Sequence, residues 1–115
     1  MRMVIAIIQP TKLSAVREAL AKVGVTRMTV CDAQGFGRQR GQTEHYRGNE
    51  YTTNLLRKIA LEIVVNEDFV ERTVDTVVNA ARTGPEGTIG DGKIFVLPAG
   101  EAIDISRVIR GPEAV

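Results

Sequence analysis

Tryptophan is absent from this chain, and aromatic residues of any kind make up only 4% of its 115 positions. Proteins that grip single-stranded nucleic acid stack bases on aromatic platforms, and too few aromatics are present to build one. Cysteine is nearly absent as well. A lone Cys31 excludes an internal disulfide, and together with His45, the one histidine, it falls short of a zinc ligand set. Charge of one sign is also missing. Fifteen Lys and Arg against 14 Asp and Glu leave a net charge of +1, which gives no electrostatic reason to expect a nucleic acid or an anionic membrane as partner. No apolar run is long enough to cross a bilayer, and the N-terminal MRMVIAII lacks a signal peptide's cleavage site. The expectation is a cytoplasmic protein with no nucleic-acid partner and no direct membrane insertion.

What is present suits a folded domain. Apolar residues at 43% and charged residues at 25% match soluble globular proteins, and the length allows one core but not two. Met1 to Ile8 reads as a strand buried on both faces, closed by Pro10. Leu13, Val16, Leu20 and Val23 recur at helical spacing before Gly24, predicting an amphipathic helix over Lys12 to Val23. Val25 to Ala33 reads as a second strand and Leu61 to Val65 as a third. Phe69, Val70, Val74, Val77, Val78 and Ala81 mark a second helix opened by Asp68. Lys93 to Leu97 is a fourth strand, and Ala102 to Ile105 a short last one. The order is βαββαβ, an α+β ferredoxin-like arrangement with both helices on one face of an antiparallel sheet. The other face is left open, and self-association is the simplest way to cover its apolar residues.

Two glycine-containing loops interrupt this order. The second holds Gly87-Thr-Ile-Gly-Asp-Gly92-Lys93, which formally satisfies the P-loop spacing GxxxxGK. A P-loop joins a strand to a helix and follows its lysine with Ser or Thr, whereas here a helix precedes, a strand follows and Ile94 takes the hydroxyl position. Such a loop can still wrap phosphates with backbone N–H groups and one cation, or serve as a plain turn. The first loop, from Gln34 to Asn54, is too long for an ordinary connection, which points to function. Its Gly35-Phe-Gly37-Arg-Gln-Arg-Gly41 is one residue too long for a dinucleotide fingerprint. It is also similar to the aromatic strand motif of RRM domains, but that motif needs several aromatics and only Phe36 is available. Tyr46 and Tyr51 lie among charged residues, as loop anchors or partner contacts. Lys58 opens an apolar stretch, where a lysine must snorkel or meet an anion.

Two segments carry a family resemblance. GFGRQRGQTEHYRGNEY at 35–51 resembles the T-loop signature of PII signal-transduction proteins, and IGDGKIFVLP at 89–98 resembles their second signature, in the B-loop and the strand after it. The VREALAKVG segment resembles the family's first helix, and the likeness covers roughly residues 1–98. It implies one PII domain over residues 1–115, with a T-loop at about 36–55, a B-loop at about 82–92 and a C-terminal segment at about 99–115. It also implies a homotrimer with ATP or ADP in clefts between subunits, and 2-oxoglutarate beside Mg-ATP. The T-loop then engages or leaves ammonium transporters and nitrogen-metabolism enzymes, so the output is regulation rather than catalysis.

Position by position, the resemblance implies nucleotide contacts from Thr29, Gly35, Gly37 and Arg38 at the base of the T-loop. It implies further contacts from Glu62 and Val64 near ribose and adenine, and from Gly90, Asp91, Gly92 and Lys93 in the B-loop. Gln39 and Lys58 match the residues that meet 2-oxoglutarate, with Gln39 also near magnesium, and Tyr51 matches the tyrosine that is uridylylated in many bacterial relatives. Glycine permits close backbone approach to phosphate, and a lysine supplies the point charge a carboxylate needs.

Three departures remove positive charge. Gly84-Pro-Glu-Gly-Thr88 lengthens the B-loop by about three residues in place of a short Gly-Lys step. Asp104 and Ser106 stand where the family has paired arginines, and Gln9 stands where a basic residue is common. The expectation is a reduced preference for ATP over ADP, with Arg82, Arg107 and Arg110 as nearby candidates to compensate. Two other functions compete. One is a PII-like offshoot regulating carbon or other transport with a different ligand preference. The other is a small nucleotide-hydrolysing enzyme, for which no activated nucleophile–base pair can be named.

Overall fold

Arg2–Ile8 forms the strand β1, in which Val4, Ala6 and Ile8 are buried while Met3, Ile5 and Ile7 are only half-covered. This two-residue alternation means that one face of the strand packs on a core and the other is shared with solvent. The computed structural model describes residues 1–37 and 55–115. Its further elements are α1 (Leu13–Lys22), β2 (Thr29–Phe36), β3 (Leu55–Val65), α2 (Val70–Ala81), β4 (Gly92–Pro98), β5 (Ile103–Asp104) and β6 (Ile109–Arg110). Single 3-10 turns at Pro10–Lys12 and Glu67–Phe69 lead into the two helices, so Pro10 ends the strand and starts the turn, where its missing N–H costs nothing.

The main sheet has the order β2-β3-β1-β4 and every pairing is antiparallel. With α1 and α2 packed together on one side, this is the ferredoxin-like α+β arrangement expected from the element order. Val16 and Leu20 of α1 and Val77 and Ala81 of α2 meet Val4, Ala6 and Ile8 of β1 and Ile59, Leu61, Ile63 and Val65 of β3 in one core. Each fully buried Val, Leu or Ile side chain of this set contributes about 1.5–3 kcal/mol. Thr73, fully buried on α2, is the one buried polar residue among those described. Its hydroxyl donates to the Phe69 carbonyl at 2.7 Å and leaves nothing unsatisfied. Val78, expected in the apolar set of this helix, lies on its outer side at 40% exposure.

Two strand boundaries differ from expectation. β2 starts at Thr29 and runs on through Gly35 to Phe36, and β3 begins at Leu55. The two are one hairpin in which Phe36 pairs with Leu55, Gly35 with Leu56, Gln34 with Arg57 and Ala33 with Lys58. Cross-strand pairing extends both strands through residues of weak β-propensity. Val25 belongs to the core but precedes the strand.

The C-terminal segment also differs. Ile103–Asp104 does form a strand, but it pairs with Ile109–Arg110 in a separate two-stranded hairpin. Asp104 holds the tip together. Its Oδ1 accepts from the Ser106 and Arg107 backbone N–H groups at 2.9 and 3.1 Å and from the Ser106 hydroxyl at 2.8 Å. Its Oδ2 accepts from Arg107 Nη2 at 2.9 Å. These bonds from Arg107 and Ser106 hold the Asp104 carboxyl well below the usual carboxylate range. Asn66 donates to the Pro112 carbonyl and Ala99 to the Met1 carbonyl. The hairpin therefore sits at the end of the sheet where Arg2 faces Val65 and Pro98.

Candidate functional site

At the opposite end of the sheet, Ile8 pairs with Ile59 on one side and with Gly92 on the other. The segment from Arg82 to Asp91, which joins α2 to β4, therefore turns over beside Gln9 and Lys58. A helix precedes this loop and a strand follows it, which rules out a P-loop context. Asp91 is its internal staple. The carboxylate accepts from the Thr83 backbone at 3.0 Å, the Thr83 hydroxyl at 2.7 Å and the Thr88 backbone at 2.7 Å. Desolvation pushes the Asp91 carboxyl up, but the Thr83 and Thr88 bonds and the charge of Lys12 together outweigh it and hold it below its ordinary value. A carboxylate so occupied positions the loop and is not an idle base.

Gly92 is fixed by contact. Its φ is +127°, and a Cβ there would overlap the carbonyl oxygen of Ile7 in β1. Only glycine lets the loop enter the sheet edge this closely. The Gly90 carbonyl points back to the sheet, where it accepts from Lys58 Nζ at 2.9 Å and Gln9 Nε2 at 2.7 Å. Burial pushes the Lys58 ammonium down from its ordinary value, and the Asp91 charge partly offsets that. An ammonium, a glycine loop and its backbone groups are thus gathered at one sheet end, a combination suited to anions.

The expected site residues fall into groups. Lys58, Gly90, Asp91, Gly92 and Lys93 share this end, with Lys93 paired to Ile7. Thr29 and Glu62 are direct cross-strand partners, joined through Ile5 to Phe95, on the face away from the helices. Val64 lies one row further on, between Met3 and Leu97. Glu62 is four residues from Lys58 along β3, about 13 Å in an extended strand. Gly35 and Gly37 lie at the end of the β2–β3 hairpin, and Arg38, Gln39 and Tyr51 lie outside the described residues. Among the described residues no group of three or more His, Cys, Asp and Glu could hold a metal ion. No described helix is long and apolar enough to cross a membrane.

The three arginines expected as candidates to compensate separate in the same way. Arg82 borders the loop, where a Cβ on Gly87 would lie 3.2 Å from its Nε. Arg107 and Arg110 sit in the C-terminal hairpin, paired with Asp104 and Glu101 at 2.9 Å each. Asp104 itself is turned into that hairpin rather than toward the B-loop of its own chain. Gln9 is the contact that sequence reasoning did not assign. Its position just after β1, beside the partner of Ile8, was the available signal, and it becomes readable only once the register is known.

Comparison with known proteins places this geometry. A family model described as nitrogen regulatory protein P-II matches residues 1–108. The chain is 54% identical over 110 residues to the nitrogen regulatory protein P-II of Klebsiella oxytoca and to the nitrogen regulatory protein P-II 1 of Escherichia coli K12. Each alignment covers 96% of this chain and 90% of the relative. Against the nitrogen regulatory protein P-II of Nostoc punctiforme it is 50% identical over 115 residues, with both chains covered in full. The family names describe regulators, not enzymes. This chain belongs to the nitrogen regulatory protein P-II family and is a signal-transduction regulator of nitrogen metabolism.

Proposed function

We propose that this regulator is a cytoplasmic homotrimer that senses ATP or ADP together with 2-oxoglutarate and passes the result to its partners through the T-loop. The observation that carries the reading is the meeting of Lys58 with the B-loop at Gly90, which sets a cation beside a glycine loop able to approach phosphate closely. Gly90, Gly92 and Lys93 would take the phosphates, with Asp91 shaping the loop through Thr83 and Thr88. Thr29, Gly35, Gly37 and Arg38, with Glu62 and Val64, would take the rest of the nucleotide. Thr29 and Glu62 stand on the open face, about 13 Å along the strand from Lys58, and in this reading a second copy covering that face completes the site. Magnesium suits hard oxygen donors, here the triphosphate and the Gln39 amide oxygen. Gln39 and Lys58 would receive 2-oxoglutarate. Tyr51 is the candidate for uridylylation, and mass spectrometry finding the group on Tyr46 instead would overturn that assignment.

The open sheet face supports the trimer. Phe95 and Leu97 of β4 are 50% and 41% exposed beside the half-covered Met3, Ile5 and Ile7. Light scattering is expected to give three times the monomer mass at micromolar concentration. A monomer would remove the shared nucleotide cleft from the account. The partners in this reading are an ammonium transporter or enzymes of nitrogen metabolism.

One observation favours a variant of this reading. Arg107 and Arg110 are each already paired with an acid, Asp104 and Glu101, and Asp104 and Ser106 replace the family's arginines. Fewer cations then face the γ-phosphate, and ADP should bind as well as ATP or better.

A further inference from the structure

Gln9 stands outside the ligand set proposed above. It is the residue after β1, and Lys58 lies in β3 one step before Ile59, the partner of Ile8. The register sets the two side chains side by side where the sheet meets the B-loop. Both donate to one atom, the Gly90 carbonyl oxygen, at 2.7 Å from Gln9 Nε2 and 2.9 Å from Lys58 Nζ. A carbonyl oxygen has two lone pairs, so this one is fully engaged by the sheet. Gly90 is flanked by Asp91, whose carboxylate staples Thr83 and Thr88, and then by Gly92, which rests against Ile7. Where the Gly90 carbonyl is held therefore sets where the whole loop stands.

The two donors differ in what can remove them. The amide of Gln9 is neutral, whereas the ammonium of Lys58 is the group an anion attracts. We propose that Gln9 is a positioning residue that shares the Gly90 carbonyl with Lys58, so that the B-loop stays latched to the sheet when an anionic effector draws the Lys58 ammonium away. With leucine at position 9 the carbonyl would depend on Lys58 alone, and effector docking would then loosen the nucleotide loop. The latch belongs to the ligand-free chain, while its consequence rests on the proposed roles of Lys58 and the B-loop.

Amide hydrogen exchange at Thr88 and Asp91 in the ligand-free protein tests the latch. Each of these N–H groups bonds within the loop, Thr88 to the Asp91 carboxylate and Asp91 to the Thr88 carbonyl at 3.0 Å. Gln9→Leu and Lys58→Met are each expected to raise exchange by about fivefold or less, the factor typical of one net hydrogen bond. The double variant should exceed the product of the two, because only then does the carbonyl lose both donors. Gln9→Lys restores a donor and should return exchange to the original rate. Titration of ATP with and without saturating 2-oxoglutarate reads the consequence. Gln9→Leu should lower the ratio of the two affinities about fivefold, and Gln9→Lys should not. Unchanged exchange in Gln9→Leu, or single effects that simply multiply, would overturn the proposal. If the unmodified protein bound neither ligand, the sensor reading would fall while the exchange rates still decided the latch.

Discussion

Gly92→Ala is expected to abolish nucleotide binding and to cost about 2–6 kcal/mol of stability. That range adds about 1–3 kcal/mol for holding a side chain in a sparsely populated backbone region to about 1–3 kcal/mol for overpacking. The residue has a φ of +127°, and its Cβ would overlap a backbone oxygen of β1, the strand at the centre of the fold. A flexible side chain could move aside, but the Ile7 carbonyl is held between two partner strands and cannot. The strain is relieved only by lifting the loop off the sheet edge, which carries Gly90, Asp91 and Lys93 away from one another. Thermal unfolding and ATP titration of the variant measure the two effects. A variant with normal stability and affinity would show that the loop enters the sheet less closely than described.

The second large effect concerns the effector. Lys58→Ala is expected to weaken 2-oxoglutarate binding to the Mg-ATP form by about one to two orders of magnitude, since a hydrogen bond to a charged group contributes about 1.5–3 kcal/mol. Lys58 is half-buried, and its ammonium, pushed down by burial, is steadied by Asp91 across the loop. Removing it also takes one donor from the Gly90 carbonyl, so ATP affinity should fall too, but only by the smaller factor of a single shared bond. Unchanged effector affinity in calorimetry would place the dicarboxylate elsewhere or remove it from the account.

These two positions show what the sequence could and could not disclose. The order of strands and helices was legible because apolar periodicity is local: Val16 and Leu20 repeat at helical spacing, and β1 and the β-branched run of β3 read directly as strands. The glycine loop and Lys58 were legible through chemistry, as a loop able to approach phosphate and a lysine misplaced at the mouth of an apolar strand. That they meet at one carbonyl was not, because the contact spans 32 residues and depends on sheet register. The same holds for Gln9, 81 residues from Gly90. β3 began earlier than its apolar run because Arg57 and Lys58 are carried by pairing with β2, a non-local cause. Asp104 was legible only as a residue standing where the family has an arginine. It is a turn-former whose carboxylate is consumed by Ser106 and Arg107, a role common for Asp but invisible until the hairpin partner Ile109–Arg110 is known.

The hairpin contacts of Asp104 set the expectation for Asp104→Arg. The substitution would break the hairpin tip and free Arg107 rather than add a cation beside the phosphates of the same chain.

Calorimetric titration of the intact protein with ATP, ADP and AMP, followed by 2-oxoglutarate on the Mg-ATP form, tests the central claim most directly. The account predicts one nucleotide site per chain, ADP bound as well as ATP or better, and 2-oxoglutarate heat only when Mg-ATP is present. An oligomer that took up no adenine nucleotide, or bound 2-oxoglutarate equally well without it, would contradict the assignment of the B-loop and Lys58 to a shared nucleotide and effector site.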